Sequence, residues 1–193
     1  MRSKEPAIIK FLIEHKNEEL NILNISKAIK MDYKNAHSII KRLEKASVIS
    51  IETFGQSNRI KLNESLNPLV FEAEFERRKE ILKDKNIAAM LSSFKRAITS
   101  KMYILLLFGS YAKKTNTKNS DIDLIFICPD GNEEKFEKTA DRIARSLPLP
   151  LHVLVFSETQ FNEMINAKES NVGQEALKNN IILYGIEQYY GMM

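Results

Sequence analysis

Two aspartates, Asp121 and Asp123, stand two positions apart at the start of the apolar run DIDLIFIC. Alternate residues of a β-strand face the same side, so a strand beginning here is expected to hold both carboxylates on one face. Like charges held side by side repel, and a fold keeps such a pair mainly where a cation lies between them. The spacing therefore predicts a site for a divalent cation at the start of this strand.

A turn of small residues precedes the aspartates. Gly109 and Ser110 end the strand-like run YILLLF, and ten residues separate them from Asp121. Gly-Ser, ten residues and Asp-x-Asp is the signature of the polymerase-β nucleotidyltransferase superfamily, which this part of the chain resembles. The string LFGSYAKKTNTKNSDIDLIFI is especially similar to the minimal nucleotidyltransferases of bacteria and archaea.

The resemblance implies an α/β (α+β) nucleotidyltransferase fold with a mixed sheet, a nucleoside triphosphate as substrate, and Mg²⁺ or Mn²⁺ as cofactor. It assigns Gly109 to close approach of the backbone to the triphosphate and Ser110 to phosphate binding through its hydroxyl and amide. Asp121 and Asp123 are then the catalytic carboxylates that hold the metal. Such chemistry is two-metal phosphoryl transfer, in which cations stabilise the attacking and leaving oxygens.

Three lysines lie between the two halves of the motif. We interpret Lys113 and Lys114 as nucleotide-binding residues because an ammonium group in this segment can reach phosphate. Lys118 has the same potential. The alternative for all three is an ordinary solvated surface lysine.

The position of a third carboxylate departs from the family pattern. Active members of the superfamily usually carry it on a later strand, and the matching strand here is LHVLV, with His152 at its central polar position. Leu151 and Val153 are expected to face the opposite side and to pack under helices. His152 then has three alternatives: a catalytic base, a metal ligand through one nitrogen, or a half-buried histidine in a domain with weakened activity.

The first third of the chain predicts three short helices. Ile8 and Leu12 mark the first, and Ile25 to Ile29 mark the second, which Asn24 or Ser26 is expected to cap. The third begins after Asp32, a good N-cap residue. Its apolar stripe is followed by alternating residues that predict a β-hairpin, with its turn at residues 54–58.

Three helices and a hairpin over residues 5–64 resemble the winged helix-turn-helix domains of archaeal and bacterial transcriptional regulators. The resemblance implies duplex DNA as a partner, with the helix from Tyr33 to Lys45 in the major groove and the hairpin around Gly55 to Arg59 alongside it. The predicted DNA-binding residues are Lys34, His37, Ser38, Lys41, Arg42, Lys45 and Arg59.

Charge is distributed unevenly. Residues 1–66 carry 12 Lys and Arg against 8 Asp and Glu, whereas residues 101–193 carry 10 against 12. The basic excess therefore lies in the half that is expected to bind a polyanion. We predict three parts: a DNA-binding domain over residues 1–66, a helical connector over 67–100, and a nucleotidyltransferase domain over 101–193.

Cysteine content and hydropathy narrow the class of protein. The single cysteine, Cys128, cannot form a disulfide framework or a cysteine-rich zinc site and is interpreted as a small buried residue. No apolar run has the length of a membrane span, and the first residues lack the apolar block of a signal peptide. A cytoplasmic protein without a membrane partner is expected.

Two classes of function follow from the sequence. The first is an enzyme that transfers a nucleotidyl group from a triphosphate to an unknown acceptor. The second is a DNA-binding regulator, or an antitoxin-like protein, whose nucleotidyltransferase domain is weakly active or inactive and senses a nucleotide or binds a partner. A protein partner or acceptor and a homodimer stay open in both.

Overall fold

The computed structural model describes residues 4–54, 57–63 and 65–193. The chain forms two compact units, one running up to Arg77 and including Tyr190–Met193, the other comprising Arg78–Tyr189. None of the described helices has the length and apolar character that crossing a membrane requires.

The first unit begins with three helices and a two-stranded antiparallel sheet, as predicted. Their bounds are α1 Glu5–Glu14, α2 Ile22–Ala28, α3 Tyr33–Lys45, β1 Ile49–Phe54 and β2 Ser57–Leu62. Asp32 caps α3 by accepting a hydrogen bond from the Asn35 amide, which confirms its predicted role. The predicted cap of α2 is wrong: Asn21 is the N-cap, and Asn24 completes a reciprocal capping box with it.

The hairpin pairs Ile51 with Ile60 and Glu52 with Arg59, so apolar residues lie opposite apolar ones and charged residues opposite charged ones. Two residues of the predicted turn, Gly55 and Gln56, lie outside the described residues. The four apolar positions of α3, namely Ala36, Ile39, Ile40 and Leu43, are all buried, as the helical period predicts. These elements form the predicted winged helix-turn-helix arrangement.

Helix α4, Pro68–Ile81, differs from its expected pattern. The sequence predicts an apolar stripe of Val70, Phe71, Phe75 and Ile81 along this helix. Val70 is buried, but the Phe75 side chain is exposed. Glu74 and Arg77 are buried instead, and their side chains form an ion pair at 2.7 Å. The Tyr190 hydroxyl donates a hydrogen bond of 2.9 Å to Glu74, which satisfies a second carboxylate oxygen.

The second unit contains a four-stranded mixed sheet in the order β5-β4-β3-β6. Strand β3 is antiparallel to both β4 and β6, whereas β4 and β5 are parallel. The mixed sheet confirms the predicted α+β fold class. The elements that follow α4 are α5 Lys85–Ala97, β3 Ile104–Phe108, α6 Gly109–Ala112, β4 Ile122–Cys128, α7 Glu133–Ser146, β5 Leu151–Ser157, α8 Glu158–Asn166, α9 Val172–Lys178, β6 Ile181–Tyr184 and α10 Ile186–Met192.

One face of this sheet forms a core with α5 and α7. Phe94 of α5 packs edge-on against Phe126 of β4, and Phe136 of α7 contacts the Tyr103 ring. Leu151 and Val153 pack against this core, as predicted from strand alternation. Residues 123 and 152 therefore face the other side of the sheet.

Candidate functional site

The candidate site lies at one end of the sheet, where β3 ends and where β4 and β5 begin. Antiparallel pairing places Phe108, the last residue of β3, opposite Asp123 near the start of β4. Parallel pairing places His152, near the start of β5, opposite Asp123 on the other side. The end of one strand and the beginnings of two others thus bring residues from three parts of the chain to one carboxylate.

Gly109 is packed directly against Asp123. Its backbone φ is +65°, a left-handed conformation that glycine adopts without steric cost. A Cβ at this position would overlap the Asp123 Oδ2 atom. Glycine is therefore required twice, by the backbone conformation and by the neighbouring carboxylate.

His152 contacts the other oxygen of the same carboxylate. The His152 Nδ1 atom lies 3.2 Å from Asp123 Oδ1, and the two side chains are 57% and 25% exposed. This contact confirms that His152 faces the side of the sheet that carries Asp123, as strand alternation predicts. The side chain is 57% exposed and therefore accessible to solvent, and the choice among the three alternatives for its role stays a prediction.

Asp121 occupies a different place from the one expected. It precedes the first residue of β4 and is exposed, so only Asp123 of the pair lies within the strand. The adjacent Ile122 amide donates a hydrogen bond to the Pro150 carbonyl, which extends the pairing of β4 with the segment before β5. Among the described residues, no group of three or more acidic, histidine or cysteine side chains converges as a metal cage.

The segment after Gly109 continues the turn. Ser110 is half-buried in the short helix α6, and its carbonyl accepts a hydrogen bond from the Thr115 amide. Lys113 forms an ion pair with Glu175 of α9 at 2.8 Å, an interaction that the sequence did not predict. No local signal could have found it, because 62 residues separate the partners. Lys114 is exposed and has a left-handed backbone with φ of 57°.

The donor set is suited to a hard cation bound together with phosphate. Mg²⁺ prefers oxygen ligands and is commonly held by one or two carboxylates plus phosphate oxygens and water. Asp121 and Asp123 supply two carboxylates, and the backbone of Gly109 lies directly against the second of them, which leaves no place for a Cβ. The residues present therefore fit a cation that a bound triphosphate helps to coordinate.

A family comparison supports the geometric interpretation. Residues 92–179 match the family model described as a nucleotidyltransferase domain. The match covers β3, α6, β4 and β5, and so it includes every element of the candidate site. No curated protein matches the chain.

Two solved structures resemble about half of the chain. One is MepR, a transcription regulator of the Staphylococcus aureus multidrug efflux pump MepA, at 21% identity with a TM-score of 0.34, covering 47% of this chain and 78% of that protein. The other is a mutant MepR from a multidrug resistant S. aureus clinical isolate, at 20% identity with a TM-score of 0.35, covering 48% and 78%. Scores this low carry no argument, so the winged-helix assignment rests on the helices and hairpin of the chain itself.

Six of the seven predicted DNA-binding residues lie on α3 and the seventh lies on β2, and three of the seven already have ionic partners. Lys34, His37, Ser38 and Lys45 are exposed on α3. Lys41 is paired with Glu44 at 2.9 Å, and Arg42 is paired with Glu5 at 2.9 Å. Arg59 of β2 is half-buried and lies 3.5 Å from Glu19. The two unpaired cations of α3, among the described residues, are therefore Lys34 and Lys45.

Proposed function

We propose that the nucleotidyltransferase domain binds a nucleoside triphosphate with a divalent cation and transfers a nucleotidyl group to an acceptor. The observation that carries this proposal is the packing of Gly109 against Asp123. A strand-ending turn without a side chain lets the backbone lie directly against this carboxylate, so a phosphate bound by the turn would lie next to a cation ligand. Neither group alone would favour phosphoryl chemistry.

Each residue of the site then has a defined task. Asp121 and Asp123 would hold the cation. When bound, the cation neutralises phosphate charge and stabilises the charge that develops during transfer. Gly109 allows the backbone to approach the triphosphate, and the Ser110 hydroxyl and amide donate hydrogen bonds to its oxygens. Lys113 and Lys114 add positive charge, with Glu175 holding Lys113 in place before the nucleotide arrives.

The first experiment measures triphosphate affinity by calorimetry for the full chain with Mg²⁺ and with Mn²⁺. Asp121→Ala combined with Asp123→Ala is expected to abolish the part of the affinity that depends on the cation, because it removes both carboxylate ligands. Asp141→Ala, which removes an exposed acid on α7, is the matched control and should leave affinity unchanged. Equal cation-dependent affinity in the double variant and the wild type would contradict the site assignment.

Incubation with labelled triphosphates, a divalent cation and cell extract tests the transfer step. Label should appear on an acceptor with the wild type and be absent with the double aspartate variant. Binding without transfer would instead support the second candidate function, a nucleotide-sensing regulator. That candidate is favoured by His152, which stands where active members of the resembled family have a third carboxylate.

We further propose that the first unit binds duplex DNA through α3. The exposed side chains of this helix include Lys34 and Lys45, which have no ionic partner among the described residues, while its apolar side is buried. A helix with one buried face and one basic exposed face can enter the major groove and contact phosphates. Because the net charge of residues 1–66 is modest, such binding should depend on these few contacts.

A further inference from the structure

The contact between His152 and Asp123 bears on which cation the site selects, an inference that rests on the proposed function. The two donor atoms, His152 Nδ1 and Asp123 Oδ1, come from neighbouring parallel strands paired in register. Strand pairing thus holds both side chains at the end of the sheet where β4 and β5 begin. More than half of the His152 side chain is exposed, so the ring is accessible from solvent.

The separation of these donor atoms suits a shared metal ion. Two ligand atoms at right angles around an ion about 2.1 Å from each are about 3.0 Å apart. The observed distance of 3.2 Å is close to that value. A direct hydrogen bond explains the same distance. The choice between a hydrogen bond and a shared metal ion therefore depends on the chemistry of the nitrogen and oxygen atoms as metal ligands.

Imidazole nitrogen changes the preference of a site among cations. Mg²⁺ takes oxygen ligands and gains little from a histidine, whereas first-row transition ions accept nitrogen and oxygen together. A carboxylate in place of His152 would complete an all-oxygen set. The histidine therefore distinguishes this site from the oxygen-only metal site that the resembled family implies.

We propose that His152 is a metal ligand together with Asp123, and that it makes the site selective for a first-row divalent transition ion over Mg²⁺. Before nucleotide binds, water would complete the coordination of an ion held by Asp123 and His152, and triphosphate oxygens would later replace that water. The weakened activity that the missing third carboxylate suggests then applies to Mg²⁺ and not to the transition ion.

The test uses Mn²⁺ and Mg²⁺ with the full chain, without nucleotide. Calorimetry gives the ratio of Mn²⁺ to Mg²⁺ affinity, and pulsed electron paramagnetic resonance of bound Mn²⁺ detects a directly coordinated ¹⁴N nucleus. His152→Ala should remove the nitrogen signal and lower the affinity ratio by about tenfold or more, the scale on which altered ligand shells change metal affinity. His152→Asp should remove the nitrogen signal and raise Mg²⁺ affinity.

His15→Gln is the matched control, since the His15 ring stacks on Phe11 in the other unit. This variant should keep both the nitrogen signal and the affinity ratio. Mn²⁺ binding that requires Asp121 and Asp123 but shows no nitrogen coupling, with an unchanged ratio in His152→Ala, would overturn the inference and leave the proposed function intact. Loss of neither cation's affinity in the double aspartate variant would overturn both.

Discussion

At the scale of single residues, the candidate site is organised around the Asp123 carboxylate. One of its oxygens faces the position that a Cβ of residue 109 would occupy, and the other faces the His152 ring. Contacts on two sides restrict the side-chain rotamers of Asp123, so the fold fixes the orientation of its carboxylate oxygens. This restriction of side-chain freedom would prepare the site for the proposed cation before any ligand binds.

Gly109→Ala should abolish cation-dependent triphosphate binding, because the new methyl group overlaps Asp123 Oδ2 and a left-handed φ strains any residue with a Cβ. Gly131→Ala provides a matched control. Gly131 has a φ of +79° but no atom within 4 Å of its Cβ position. It should lose only about 1 kcal/mol of stability through backbone strain. Calorimetry would measure triphosphate affinity and urea unfolding would measure stability for both variants. Equal triphosphate affinity of Gly109→Ala and Gly131→Ala would contradict the packing argument.

Cys128 at the other end of β4 should be chemically inert in the folded protein. Burial, with a smaller contribution from the Glu133 charge, raises the pKa of this thiol from 9.0 to about 11. At pH 8 only about one thiol in a thousand is then ionised, and the thiolate is the reactive form. An aromatic disulfide reagent should therefore label the protein rapidly in urea and very slowly without it. Fast labelling of the native chain would show that β4 is more accessible than the structure indicates.

The same shift in pKa has a defined effect on stability. The unfolded thiol ionises near its ordinary pKa, while the folded thiol stays neutral until about pH 11. The contribution of Cys128 is therefore complete below about pH 9 and is lost as the pH rises toward 11. Between pH 9 and pH 11 the free energy of unfolding, measured by urea titration, should therefore fall less in Cys128→Ala than in the wild type.

At the scale of elements, α3 combines a fully apolar buried side with a basic exposed side. Salt bridges on that exposed side divide its cations into two groups. Lys41 and Arg42 already have carboxylate partners within the first unit, whereas Lys34 and Lys45 have none among the residues described. Phosphate contacts by paired cations must compete with these carboxylates, so we expect the unpaired lysines to contribute more to DNA binding.

Replacing Lys34 and Lys45 together by Ala should weaken DNA binding and reduce the slope of log affinity against log salt by about 1 for each lost phosphate contact. The double variant Lys41→Ala with Arg42→Ala should also weaken binding, but less. Fluorescence anisotropy over a salt series would measure both slopes. Glu44→Gln is an informative companion variant: it frees Lys41 and should strengthen binding. Identical slopes in all variants would exclude this face of α3.

At the scale of the whole molecule, the chain consists of two compact units, one with a winged helix-turn-helix arrangement and one that contains most of the residues matched by the nucleotidyltransferase domain model. The candidate DNA-binding residues all lie before Arg77, and the candidate nucleotide-binding residues all lie after Arg78. No side chain belongs to both sets. The two proposed activities are therefore expected to be separable by mutation.

The double aspartate variant should bind DNA with the affinity of the wild type, and the Lys34 and Lys45 double variant should bind triphosphate normally. Anisotropy and calorimetry on the same preparations would test both statements. Adding triphosphate and Mn²⁺ to the DNA titration distinguishes the two functional classes. A change in DNA affinity of more than about tenfold, equivalent to about 1.4 kcal/mol of coupling free energy, would favour the nucleotide-sensing regulator over an independent transferase.

Sequence alone determined the local features of this protein. The period of apolar residues located α3 and the strands β3 to β5, and Asp32 marked the start of α3, because helix caps and alternation depend on neighbours in the chain. The spacing of Gly109, Ser110, Asp121 and Asp123 matches the polymerase-β signature, and through that resemblance it predicted phosphate and metal chemistry within one short segment. These features need only residues that are close in sequence.

Tertiary structure decided which distant residues meet. The contact between Asp123 and His152 depends on parallel pairing in register across 29 residues, and the ion pair between Lys113 and Glu175 spans 62. The burial of Glu74 against Tyr190 spans 116 residues. Strand order, register and the packing of helices on a sheet arise from the whole core, so a local pattern cannot specify them. The sequence left three alternatives for the role of His152. The tertiary structure adds the contact with Asp123, on which each alternative can be tested.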